Sequence, residues 1–515
     1  MAARDVDAVI VGGGHNGLVA AAYLTQAGLR VQLLERLTQV GGAAVSAQVF
    51  DGVGARLSRY AYLVSLLPAR ILDDLGATVR LAPRPYSSYT PDPATAGRTG
   101  LLVGRESTFD AIGAGGDEQA FAEFYRRCRH VTRRLWPTML EPLRTREQAR
   151  LAVGDNAAWR DMIERPIGAA ITETFDNDLV RGVVATDALI GTFARLDDPS
   201  LQQNVCFLYH LLGGGDGGWH VPVGGMGAVS TALASAASGY GTEIITGAEV
   251  YAIDPSGEVR YRRGDDEHVV RGRFVLAGVT PTTLAGLLGE PAPASAPGAQ
   301  VKVNMVLKRL PRLRDQNVTP AQAFGGTFHV NETWTQLGAA YDRAARDVLP
   351  EPLPCEIYCH SLTDPSILSP ALQEAGAATL TVFGLHTPHR AFERDTLTDA
   401  VLASLNSVLA EPIQDVLMTD ANGSPCIETT TTVDLEERLG MTSGNIFHGG
   451  LAWPFAEDDL TLDTPARQWG VATAHERILL CGSGARRGGA VSGIGGHNAA
   501  MAVLTAAAAG PRPAT

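Results

Sequence analysis

The feature that most constrains this chain lies in its first forty residues. Asp7 to Val11 reads as a short buried strand, GGGHNG follows with Gly12, Gly14 and Gly17 in G-x-G-x-x-G spacing, and an Ala- and Leu-rich helix runs to Gly28. A second strand, Arg30 to Leu34, leads into Glu35. Each glycine has its own task. Gly12 permits the tight turn, Gly14 lets backbone approach a pyrophosphate, and Gly17 lets helix and strand pack closely. The helix N-terminus then offers unpaired N–H groups and a favourable dipole to phosphate. Glu35 follows Gly17 at close to the ~20 residues expected of a carboxylate that binds a ribose. Strand, glycines, helix, strand and acid in register predict a Rossmann-type α/β fold. They do not by themselves separate FAD from NAD.

The residues after Glu35 and Arg36 make that separation. A second glycine pair, Gly41 and Gly42, leads into Ala43 and AVS. This extension resembles the E-x5-GG element of the FAD-binding glutathione reductase and amine oxidase superfamily. At the other end, Arg477 to Cys481 reads as a buried strand running into GSGARRGGAVSGIGGHNAA and a helix from about Asn498. Glycines such as Gly482, Gly493 and Gly495 would let backbone pass close to a planar ligand. The helix after them would present its amides to the anionic pyrimidine end of a reduced flavin. Arg486 and Arg487 read equally as added positive charge there or as solvated side chains.

Together with PVGGMGAVSTAL (Pro222 to Leu233), VKVNMVLKRLP (Val301 to Pro311) and GNIFHG (Gly444 to Gly449), these segments resemble the phytoene dehydrogenase-like flavoproteins, and among them the pyridine nucleotide-disulfide oxidoreductase domain-containing protein 2 group. The resemblance implies an FAD-dependent oxidoreductase. In it an apolar, isoprenoid- or lipid-like substrate would lose hydride and proton to form a double bond, with oxygen or a quinone as electron acceptor. Amine or amino-acid oxidation, redox-neutral isomerisation and a flavin-bearing regulatory protein remain open alternatives. One departure is local: Arg487, Gly488, Gly489 and Ala490 stand where the family has a proline and three glycines, and their added bulk is expected to narrow the pocket. Disulfide reduction is not expected, because the first cysteine is Cys128. Nor is a second dinucleotide unit, since the glycines at 213–215 and 217–218 run into Trp219, His220 and Val221 rather than a helix.

The expected cofactor contacts are Gly12, Gly14, His15, Asn16, Gly17, Glu35, Arg36, Gly41, Gly42, Ala43, Val250, Gly482, Gly493, Ile494 and Gly495. Hydride transfer to a flavin needs mainly positioning and a low-polarity cavity. Few catalytic side chains are therefore expected. Lys302 is the first candidate, because Lys302 and Lys308 are the only lysines in the chain; in the related amine oxidases a lysine in a comparable strand holds a water near the reactive flavin nitrogen. His448 and His220 sit in loops where a polar group would face substrate, and Ser58 and Tyr60 are placed to line the flavin edge. Cys355, Cys359 and His360 are not expected to bind metal, because an extended chain at ~3.3 Å per residue puts the two sulfurs roughly 13 Å apart.

Alternating strand signals from Gly241 to Val279 suit a β-meander, residues 100 to 215 look helix-rich, and 300 to 440 alternates again. We expect an FAD domain from 1–100, 216–298 and 441–515, interleaved with an α+β substrate domain from 101–215 and 299–440. Pro- and Ala-rich 291–298 reads as a linker. A hydrophobic content of 45% supports cores of that size. A net charge of -13 argues against nucleic acid. The run Arg126, Arg127, Arg129, Arg133 and Arg134 reads as the solvated face of an amphipathic helix. Neither a leader nor a spanning segment is visible, and the six scattered cysteines suit reduced thiols. A cytoplasmic protein is expected, with peripheral membrane contact left open.

Overall fold

The structure is a computed structural model and describes residues 4–389 and 391–508. Its first strand, β1 (Arg4–Val11), enters the turn at Gly12 and continues into α1 (His15–Gln26) and β2 (Val31–Glu35). β1 is the centre of a seven-stranded sheet, parallel to β2 on one side and to Asp266–Ala277 on the other, with Ile10 opposite Leu33 and Leu276. Its buried apolar run follows from that place, because a parallel strand covered on both faces has no solvent side. Glu243–Thr246 extends the sheet beyond β2, the meander strands Glu249–Ile253 and Glu258–Arg263 extend it beyond Asp266–Ala277, and Ile478–Leu480 joins in parallel from the far end of the chain.

Small side chains let the helices above this sheet close up. Ala20, Ala21 and Ala22 are fully buried, and α1 packs on Met226–Gly239 and on the C-terminal helix Ile494–Ala508. A Cβ on Gly496 would lie 1.9 Å from the Asn16 carbonyl oxygen. Only glycine allows that approach, and through it the two chain ends meet.

The second sheet also has seven strands, in the order Ile427–Thr430, Gln300–Leu307, Ala378–Leu385, Cys355–Tyr358, Thr327–Val330, Ser88–Pro91 and Gly100–Val103. It is antiparallel except where Thr327–Val330 meets Ser88–Pro91. This moves one expected boundary: residues 88–100 belong with the substrate sheet, because Thr327 and Phe328 pair with Ser88 and Tyr89. The outer limits 1 and 515 fall outside the described residues. A helical layer runs from Gly115–Leu135 to Gln202–Leu212, and Phe124, Phe175 and Phe207 join its core to that of α1. In Gly115–Leu135, Arg126 pairs with Glu123 on the surface while Arg127 reaches Asp161, so the arginine run is part solvated face and part tie to the next helices. No helix among the described residues is long and apolar enough to cross a membrane.

Candidate active site

A cavity of about 440 Å³ runs from the glycine turn after β1 to the second sheet. At its first end Gly12, Gly14, His15, Asn16 and Gly17 form the wall, with Glu35, Arg36, Gly42, Ala43 and Val250 around them. The glycines divide as their spacing requires. A Cβ on Gly17 would meet the Gly12 carbonyl oxygen at 2.2 Å, whereas one on Gly14 would meet nothing within 4 Å. Gly17 thus serves packing, and the space beside Gly14 belongs to a ligand. α1 has no side-chain cap and no acid in its first turn, so its amides are free for an anion. Glu35 is fixed by the N–H groups of Gly13 (2.7 Å to Oε2) and Leu37 (2.8 Å to Oε1), and its carboxylate still borders the cavity. Gly41 stands behind the wall, where its N–H bonds the Gly13 carbonyl.

The C-terminal segment closes the same cavity through Gly482, Ser483, Ala490 and Val491. His15 Nε2 lies 3.1 Å from the Ala490 carbonyl oxygen and the Asn16 amide donates to that of Gly488. Gly493, Ile494 and Gly495 lie one layer back; a Cβ on Gly493 would press on Val19 and one on Gly495 on the Gly482 carbonyl oxygen. Neither arginine is solvated or aimed at the cavity. Arg486 donates to the Trp453 and Phe455 carbonyls and pairs with Glu457. Arg487 is 1% exposed and donates to the carbonyls of Thr138, Glu141 and Trp469. Burial pushes its pKa down to about 10, so it stays a cation at neutral pH. Of the expected narrowing only the Ala490 methyl remains, because the guanidinium turns away to tie this loop to the helical layer.

The other end of the cavity is lined by Leu63, Ile190, Phe383, Phe447, Leu451 and Val491, with Tyr62, Tyr209, His210, Trp219 and Lys302 among them. Lys302 Nζ donates to the carbonyls of Ser58 (2.7 Å), Tyr60 (2.8 Å) and Ala61 (3.2 Å), beside the Phe383 ring. An ammonium has three protons, and all three are committed to pinning this segment, which leaves none to hold a water. Burial pushes the Lys302 pKa down to about 7, and the Glu428 carboxylate opposes that shift by favouring the charged form. Tyr60 reaches the cavity, whereas Ser58 Oγ accepts the Met226 N–H instead. His448 lines the cavity with Nδ1 unpartnered, and burial pushes its pKa down to about 4, so it is neutral. His220 is outside the lining; its backbone pairs with Val64 and its strand with Leu81–Pro83.

Sequence reasoning missed the groups behind this wall. His210 Nε2 lies 3.1 Å from Asp187 Oδ1, and Tyr125 donates to the other oxygen of Asp187. Farther in, Glu356 accepts from Thr186 and Tyr358, and His329 Nδ1 lies 2.6 Å from Glu332 Oε2. His329, Glu332 and Glu356 bring ligand-type atoms within 4.8 Å of one another. Burial pushes Glu356 and Asp187 up to about 7 and Glu332 well above the carboxylate range. Cys355 is buried in the strand and Cys359 contacts Ser361. Helix and strand periodicity cannot foretell such a cluster, because its members come from five separate segments.

Residues 10–70 match the NAD(P)-binding Rossmann-like domain family. Over 97% of both chains the sequence is 70% identical to Uncharacterized protein Rv0897c of Mycobacterium tuberculosis. It is 29% identical to pyridine nucleotide-disulfide oxidoreductase domain-containing protein 2 of Rattus norvegicus, over 97% of this chain and 93% of that one. An oxidoreductase from Methanosarcina mazei shares the fold at a TM-score of 0.59, with 15% identity over 98% of this chain and 100% of that one. Cyclohexylamine oxidase from Brevibacterium oxydans does so at 0.55, with 15% identity over 98% of each. The open space beside Gly14, the uncapped α1, the Glu35 carboxylate and the C-terminal glycine segment fit FAD, and the chain belongs to the family of the mycobacterial protein.

Proposed function

We propose that this FAD-dependent oxidoreductase desaturates an apolar substrate, passing the electrons on to oxygen or a quinone. The observation that carries this reading is the composition of the substrate end: aliphatic and aromatic side chains surround a lysine whose protons are all spent on backbone. The carboxylates on the cavity wall, Glu35, Glu249, Glu436 and Glu437, gather with Arg36 at the dinucleotide end. When bound, FAD supplies the two-electron acceptor for hydride. The chain's own part is to hold the dinucleotide on the α1 amides, to exclude water with Leu63, Ile190, Phe447 and Leu451, and to orient a hydrocarbon against Phe383 and Trp219.

One observation favours a second reading, amine oxidation. Tyr62 and Trp219 line the cavity as a stacked aromatic pair, with ring planes only 7° apart and centroids 6.2 Å apart, against which an amine would pack. The readings separate by anaerobic flavin bleaching of the FAD-loaded protein. Phytoene or squalene in detergent micelles is expected to bleach it, and putrescine and cyclohexylamine are not. Bleaching by the amines alone would replace desaturation with amine oxidation.

A further inference from the structure

Desaturation requires a proton acceptor as well as a hydride acceptor, and the cavity wall holds three basic side chains besides His15 and Arg36. Lys302 is fully committed to carbonyls. His448 has a free Nδ1 but no carboxylate to orient it or to stabilise its charged form. His210 is built differently. Its ring lines the cavity, its Nε2 lies 3.1 Å from Asp187, and among the described residues no protein group bonds its Nδ1. The ring is fixed from two sides. It packs at 4.5 Å from the Trp219 ring, whose Nε1 in turn donates to the His210 carbonyl. His210 also lies in the last turn of Gln202–Leu212, where the helix dipole favours a cation. Asp187 is positioned by Tyr125, with its own residue anchored at the end of Asp178–Ala185.

Resting on the desaturation reading, we infer that His210 is the proton acceptor at the substrate end and that Asp187 positions it. The order carboxylate, imidazole, open cavity is the arrangement by which a histidine base is oriented and its cation stabilised. The step balances as follows. Bound FAD would supply the two-electron acceptor for hydride from one substrate carbon, the neighbouring C–H electron pair would become the new π bond, and its proton would be taken by the His210 Nδ1 lone pair beside Asp187.

Burial pushes His210 down to about 4, so at neutral pH its imidazole is uncharged and keeps a lone pair for a proton, and burial pushes Asp187 up to about 7. The charged and titratable groups that face it are Arg84, Glu356, His329, Glu332, Tyr125, Cys128 and Cys206.

The first arm of the test needs no substrate. Trp219 emission of the FAD-loaded protein is followed between about pH 4 and 9, because an imidazolium against indole quenches it. A titration is expected that disappears in His210→Gln and moves to lower pH in Asp187→Asn, where the stabilising carboxylate is lost. Should Asp187→Asn fail to fold, Tyr125→Phe removes a donor from the carboxylate and is expected to move the titration up. The second arm is the rate of bleaching by phytoene: His210→Gln is expected to slow it ~100-fold with half-saturation little changed, and His475→Gln, at a residue that pairs with Glu290 at the surface away from the cavity, to leave it within about threefold. A wild-type protein without the titration, an Asp187 variant that leaves it in place, or a loss of bleaching in His448→Gln rather than His210→Gln would overturn the assignment. If amines bleach and phytoene does not, desaturation falls first, and the titration alone decides whether the pair exists.

Discussion

The two ends of one cavity are built by different means. At the dinucleotide end the working groups are backbone: α1 amides, the turn at Gly12, and glycines whose missing Cβ atoms make room. At the substrate end they are side chains, with Tyr62, Ile190, His210, Trp219, Phe383 and Phe447 arriving from separate segments. Backbone chemistry is tied to fixed local spacing, so it suits a cofactor that does not vary. Side chains brought together by tertiary packing change one at a time, so they suit a substrate that does.

The sharpest way to break this contrast is to add one methyl at each of two glycines. Gly17→Ala is expected to abolish both folding stability and FAD binding, because its Cβ would meet backbone at 2.2 Å. Gly14→Ala is expected to leave the thermal midpoint of the cofactor-free protein unchanged and to weaken FAD by ~100-fold, because its Cβ meets only ligand space. Calorimetry of the free protein and flavin titration check the pair. If Gly14→Ala binds FAD normally, the dinucleotide does not lie where the glycines place it.

The same contrast explains what the sequence made legible. The β1–α1–β2 unit, Glu35, the meander and the meeting of the chain ends were readable, since each rests on periodicity or on glycines at fixed separations. The strand Ser88–Pro91 was not, because four residues carry too little pattern and its partner lies at Thr327–Val330. The His210–Asp187 contact was equally silent: His210 ends one helix and Asp187 follows another, and only packing brings them to 3.1 Å. Arg487 was read as either a flavin charge or a solvated side chain. A buried guanidinium served by three carbonyls has no local signature at all.

Arg487 therefore offers the next test, because it sits in the cofactor segment yet faces away from the cavity. Arg487→Met is expected to cost ~2–4 kcal/mol in denaturant unfolding, since it leaves the Thr138, Glu141 and Trp469 carbonyls unpaired in a buried site. FAD affinity is expected to stay within about threefold. A large loss of affinity with unchanged stability would mean that its charge serves the flavin after all.

Lys302 probes the boundary between the two ends with a smaller effect. Its folded pKa, near 7, lies below the ~10.4 of an unfolded lysine. Between those values the unfolded chain binds more protons, so this residue makes stability rise with pH from about 7 toward 10 and contributes no slope below 7. Lys302→Met is expected to lower stability at pH 7 by ~1–2 kcal/mol, because the Ser58, Tyr60 and Ala61 carbonyls lose their donor, and to flatten the alkaline rise. Urea unfolding at pH 7 and pH 9 measures both. If the variant keeps the slope, the proton belongs to another group. If it keeps its stability but loses flavin bleaching, Lys302 touches the chemistry and the segment 58–61 is held by something else.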